Sequence, residues 1–97
     1  MYTATMNYYF TPEHVDAACE LWRAEVMEHA RSQPGFVRMQ FLVAGNDALA
    51  VGTWETAENA RAFMETGVFK KLMEKLEGMV TERPVPKVWD LKFFAEK

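Results

Sequence analysis

The sequence predicts an α+β fold of β-α-β-β-α-β order, in which an antiparallel four-stranded sheet carries two helices on one face. Three observations predict it. Residues 2–10 alternate with a period of two, Thr11-Pro12 opens an apolar stripe of helical period, and Gly45-Asn46-Asp47 supplies a turn between two further apolar runs. The 97 residues make one domain, 1–97, because a second core would have nothing left to build it.

Along residues 2–10, Tyr2, Ala4, Met6, Tyr8 and Phe10 share one face, while Thr3, Thr5, Asn7 and Tyr9 share the other. Thr11 suits the N-cap of the first helix and Pro12 its first position, where a missing N–H costs nothing. At about 100° per residue, Val15, Ala18, Cys19, Val26 and His29 fall on one stripe with Trp22. Glu13, Glu20, Arg23, Met27 and Arg31 lie away from it. The helix should stop near Ser32-Gln33, because Pro34 biases its predecessor out of the α region and Gly35 follows.

Residues 36–44 read as a second strand with Val37, Met39, Phe41 and Val43 on its apolar face, and residues 48–55 as its hairpin partner. Thr56 caps a second helical region interrupted by Gly67, with Phe69, Leu72, Met73 and Leu76 inward and Lys70, Lys71 and Lys75 outward. Gly78 ends it. A fourth strand is expected over 87–94, at an edge because Pro84 and Pro86 precede it. This order is the ferredoxin-like, split βαβ arrangement. It leaves one sheet face without helices, and a second copy of the chain is the expected cover. Arg38 and Gln40 belong to that face, where Arg38 would need a partner such as Asp90.

Composition excludes several classes. A single Cys19 rules out an intrachain disulfide and a cysteine-rich zinc module. A net charge of −3 with thinly spread Lys and Arg gives no footprint for a phosphate backbone, so no nucleic-acid partner is expected. The sequence contains no 18-residue apolar run, and MYTATMNYYF lacks the basic and apolar regions of a signal peptide. A cytoplasmic protein with no membrane partner is therefore expected. No GxSxG, P-loop or GxGxxG motif is present, and His14 and His29 share no metal-ligand spacing, so neither metal nor cofactor is expected.

Two histidines and an aromatic set remain. His14 falls in the first helical turn and reads as solvated. His29, two turns beyond Trp22, is the candidate general base, although a structural role at the helix end accounts for it more simply. Cys19 has no basic neighbour and reads as a small hydrophobe rather than a nucleophile. Trp22, Met39, Phe41, Trp54, Phe63, Phe69 and Met73 should converge as core, and they are also the candidate walls for a flat apolar or aromatic ligand.

The segments QPGFVRMQF (33–41) and ALAVGTWETAENARAFMETGVFKKL (48–72) resemble the antibiotic biosynthesis monooxygenase (ABM) family of dimeric α+β barrels. Pro34-Gly35-Phe36 and Trp54 carry the likeness. It implies a homodimer with a pocket between sheet and helices, and cofactor-independent oxygenation of phenols, quinols or anthrones. A non-catalytic ligand-binding barrel is the alternative. A haem-degrading branch is similar over residues 63–73, but Phe63, Met73 and Met6 stand where its Trp, His and Asn would be.

Overall fold

The computed structural model describes residues 1–97. The chain runs through β1 (Tyr2–Tyr9), a 3-10 turn (Pro12–His14), α1 (Val15–Trp22), a π turn (Arg23–Met27) and α2 (Glu28–Ala30). It continues through β2 (Phe36–Ala44), β3 (Asp47–Trp54), α3 (Ala57–Met64), α4 (Val68–Lys75) and β4 (Val85–Asp90). The sheet order is β2-β3-β1-β4 with every neighbouring pair antiparallel, so the ferredoxin-like expectation holds.

The alternation of β1 does what its sequence requires. Tyr8 and Phe10 are buried under the helices, and Tyr2 and Met6 pack against the same core. On the opposite face, Thr3 and Thr53 sit directly across in register and share a hydrogen bond of 3.2 Å. Thr56 caps α3 as expected, its hydroxyl accepting from the Asn59 N–H at 3.1 Å and donating to Asn59 Oδ1 at 2.7 Å. Thr11 does not cap through its side chain; its hydroxyl pairs with the His14 imidazole, leaving His14 half-buried rather than solvated.

Three differences from the sequence expectation have local physical causes. The π turn uses more residues per revolution than an α turn, so the buried stripe becomes Ala18, Trp22, Val26 and Ala30, and His29 rotates outward and is exposed. In β2, the register breaks between Phe36 and Arg38. Val37 is the extra residue and turns out, while Phe36 packs edge-on against Trp54 at 5.7 Å. Val43 is also exposed, at the end of the strand.

The fourth strand begins earlier than expected, at Val85, and contains Pro86 opposite Met6. An edge strand uses only its inward N–H groups, so it tolerates a proline. Residues 91–97 then leave the sheet. Arg38 pairs there with Glu96, not Asp90, and its guanidinium lies 4.2 Å from the centre of the Phe94 ring.

Candidate functional site

The core is built around two aromatic groups. In one, Trp22 stacks on Phe41 at 4.3 Å, and Tyr8 lies 6.1 Å from Phe41 and 5.8 Å from Phe10. In the other, Trp54 and Phe63 meet at 5.1 Å, and Phe69 meets Phe63 edge-on at 5.8 Å. Trp22 reaches this region from the end of α1, Trp54 from the end of β3, Phe63 from α3 and Phe69 from α4. A cavity of about 40 Å³ lies between them, roofed by Met39 and Met64 and floored by Ala4, Ala50 and Gly52.

Gly52 makes the cavity possible. A Cβ there would sit 3.0 Å from the Met39 methyl and 3.4 Å from the Trp54 indole nitrogen. The small floor residues therefore leave an apolar slot beside an indole N–H. A space of this size admits a few waters, and a ring enters only if a wall moves. Met39 and Met64, with flexible thioether chains, are the walls best able to do so.

Of the seven expected walls, Trp22, Met39, Trp54, Phe63 and Phe69 line the cavity. Phe41 does not; it backs Trp22 from the sheet side. Met73 lies instead in a neighbouring cleft with Tyr8 and Arg83. Gly52, Ala4, Ala50 and Ala60 also line it, and no sequence pattern marks them, because small residues in a strand or helix give no signal until the large ones around them are placed. His29 does not line the cavity. It is exposed in an outer groove with Glu28 and Lys71, and its ring lies 5.7 Å from that of Phe63.

No ionisable side chain lines the cavity, and no three His, Cys, Asp or Glu side chains converge anywhere in the chain. Two buried polar atoms nevertheless lack a well-formed hydrogen bond, the Tyr8 hydroxyl and the Trp22 indole N–H. Burial holds the Tyr8 phenol well above its ordinary range, and the neighbouring Trp22 indole only partly offsets this. Tyr8 consequently stays a neutral hydroxyl. The Cys19 thiol is likewise pushed up, by burial first and then by Asp16 and Glu20, so it is no thiolate nucleophile.

An antiparallel sheet with helices on one face, enclosing an aromatic slot against the sheet, defines a small ferredoxin-like α+β domain. The family is shown by the sequence itself: the antibiotic biosynthesis monooxygenase model matches residues 1–75, and the chain belongs to that family.

Solved structures share the fold at low identity. A Nitrosomonas europaea protein bearing the same family description is 17% identical, with a TM-score of 0.84 over 96% of this chain and 100% of its own. A monooxygenase from the gene ActVA-Orf6 of Streptomyces coelicolor, solved in complex with Nanaomycin D, is 18% identical. Its TM-score is 0.81 over 99% of this chain and 91% of its own. Rv0793 of Mycobacterium tuberculosis is 10% identical with a TM-score of 0.81, each chain covered to 98%. No curated protein matches the sequence. No helix is long and apolar enough to cross a membrane.

Proposed function

We propose that the protein is a cofactor-independent monooxygenase that acts, as a homodimer, on a small electron-rich aromatic of the phenol, quinol or anthrone type. The observation that carries this reading is the cavity over Gly52, walled by Trp22, Trp54, Phe63 and Phe69. Stacking and edge contacts from four rings favour a flat aromatic over other apolar ligands. The neighbour from Streptomyces coelicolor, solved with Nanaomycin D, supports the placement of a small ligand in this fold.

Such a substrate supplies the electrons itself. Loss of a proton from an anthrone gives an anion that reduces dioxygen; one oxygen atom becomes the new ring carbonyl, and the other leaves as water with the two hydrogens of the oxidised methylene. The protein has to orient the ring, exclude water and accept a proton. The cavity walls perform the first two tasks. His29 is the candidate for the third, and because it touches Phe63 rather than the cavity, its reach depends on Phe63 swinging aside.

Oxygen uptake by the purified protein with a panel of hydroquinones and anthrones, without added metal or flavin, tests the reading. Turnover that is lost in His29→Ala with an unchanged melting temperature is the expected result. Turnover retained in that variant removes His29 as base and leaves substrate self-ionisation. A non-catalytic ligand-binding domain is the second reading, favoured by the absence of any ionisable wall residue; binding of the same panel without oxygen uptake would establish it.

A further inference from the structure

The aromatic cavity is the middle of three hollows that follow the helix-facing side of β1. One neighbour, of about 160 Å³, shares Ala4, Ala60 and Met64 with it; the other, of about 400 Å³, shares Met6 and Phe69. Tyr2, Ala4, Met6 and Tyr8, the period-two face of β1, therefore floor a trough. At about 3.3 Å per residue the trough runs for roughly 20 Å. Each outer hollow carries one arginine, Arg61 in the smaller and Arg83 in the larger, and neither guanidinium is within ion-pair distance of a carboxylate.

The two ends are not equivalent. The larger cleft is also lined by Tyr8, which is 1% exposed and whose hydroxyl, beside the Trp22 indole N–H, has no acceptor for its own proton. A buried, unpartnered donor in an otherwise apolar wall calls for an acceptor. The loop bearing Arg83 is tied to the same strand, since the Thr81 N–H donates to the Tyr9 carbonyl at 2.8 Å and Val80 bridges to Phe10. Pro84 and Pro86, with fixed φ, follow the arginine in the chain and form part of the cleft wall. Arg83 and Tyr8 thus line one largely apolar cleft that adjoins the aromatic cavity, with Met6 and Phe69 common to both.

We propose that the Arg83 cleft is an anion subsite, and that the ligand is a flat apolar molecule bearing one ionised acid group, which Arg83 pairs with and the Tyr8 hydroxyl hydrogen-bonds. The inference rests on the aromatic reading of the cavity and adds the acid group to it. A carboxylate fits best, because its two oxygens match the planar fork of a guanidinium. The apolar walls formed by Met6, Phe69 and Met73 disfavour a small hydrated anion with no ring attached.

Calorimetric titration with 2-naphthoate and its neutral counterpart 2-naphthamide tests the proposal, since the two share a ring and differ in charge. Wild type should bind the acid about tenfold more tightly than the amide, the scale of one charge-assisted hydrogen bond. Arg83→Gln should bring that ratio to about one without changing amide affinity, while Arg61→Gln leaves it intact. Tyr8→Phe should weaken the acid alone, and a fall in its melting temperature would report only the Trp22 indole N–H left without its neighbour. Gly52→Ala, placing a methyl on the cavity floor, should weaken both probes. A wild-type ratio near one, a ratio that survives Arg83→Gln, or a ratio lost only in Arg61→Gln overturns the subsite. If Gly52→Ala still weakens the amide in those cases, the aromatic cavity stands. Amide binding that is absent, or indifferent to Gly52→Ala, overturns both.

Discussion

Gly35 occupies a backbone position that no side chain fits. Its φ is +79°, and a Cβ would lie 2.2 Å from Cγ of Asn59, the residue whose N–H and side chain complete the Thr56 cap. The Gly35 carbonyl accepts from the Glu55 N–H at 2.8 Å, and Phe36 meets Trp54 edge-on. The Pro34-Gly35-Phe36 and Trp54 features that carry the family likeness are therefore one joint, clamping the turn before β2 to the start of α3. Gly35→Ala is expected to cost about 1–3 kcal/mol from the left-handed backbone alone. Disturbing the cap adds up to about 1 kcal/mol. Urea denaturation measures the loss; a change below about 0.5 kcal/mol would show that the turn relaxes freely.

At the scale of elements, the π turn decides where the first helical segment puts its polar groups. It carries Glu25, which is half-buried, toward Lys75 on α4, and the two form an ion pair. The hydrogen bond from Lys75 holds the Glu25 carboxyl below its ordinary value; burial opposes this, and the charges of Lys75 and Lys71 reinforce it. A carboxyl lowered in the folded state stabilises the fold above its unfolded pKa, and that contribution disappears as pH falls through the lowered folded value. The difference in melting temperature between wild type and Glu25→Gln should therefore persist at neutral pH and close in acid, below the ordinary glutamate range. A difference that does not depend on pH would assign the effect to packing.

Much of this level was legible in the sequence. Alternation along β1, the Thr56 cap and the Gly45-Asn46 turn are each local statements, and the structure reproduces them. The placement of His29 was not legible, because an ideal helical period carries no sign that one turn is wider. Met73 and Phe41 lie on the apolar faces that periodicity predicts, but which void each face borders depends on neighbours from other elements.

For the whole molecule, the face without helices makes the assembly prediction. Leu42 and Leu49 lie opposite each other there, beside Thr5, Val51, Trp89 and Val85, and Leu42 is 52% exposed. A mixed apolar and hydroxyl-bearing surface of this kind suits a second copy. Light scattering should give twice the monomer mass of 11.2 kDa, and Leu42→Glu should return the monomer without loss of fold, because the side chain is exposed in the single chain. A wild-type monomer at micromolar concentration would remove the homodimer from the functional proposal.

By itself the sequence determined the order of elements, the inward face of most of them and the aromatic stock of the core, since periodicity and capping depend only on residues near in the chain. Tertiary structure decided the π turn, the Val37 bulge, the cavity above Gly52 and the meeting of Tyr8 with Arg83 in one cleft. A void is the space left after every wall has been packed. Its size and its lining are therefore properties of residues distant in sequence, and no local pattern encodes them.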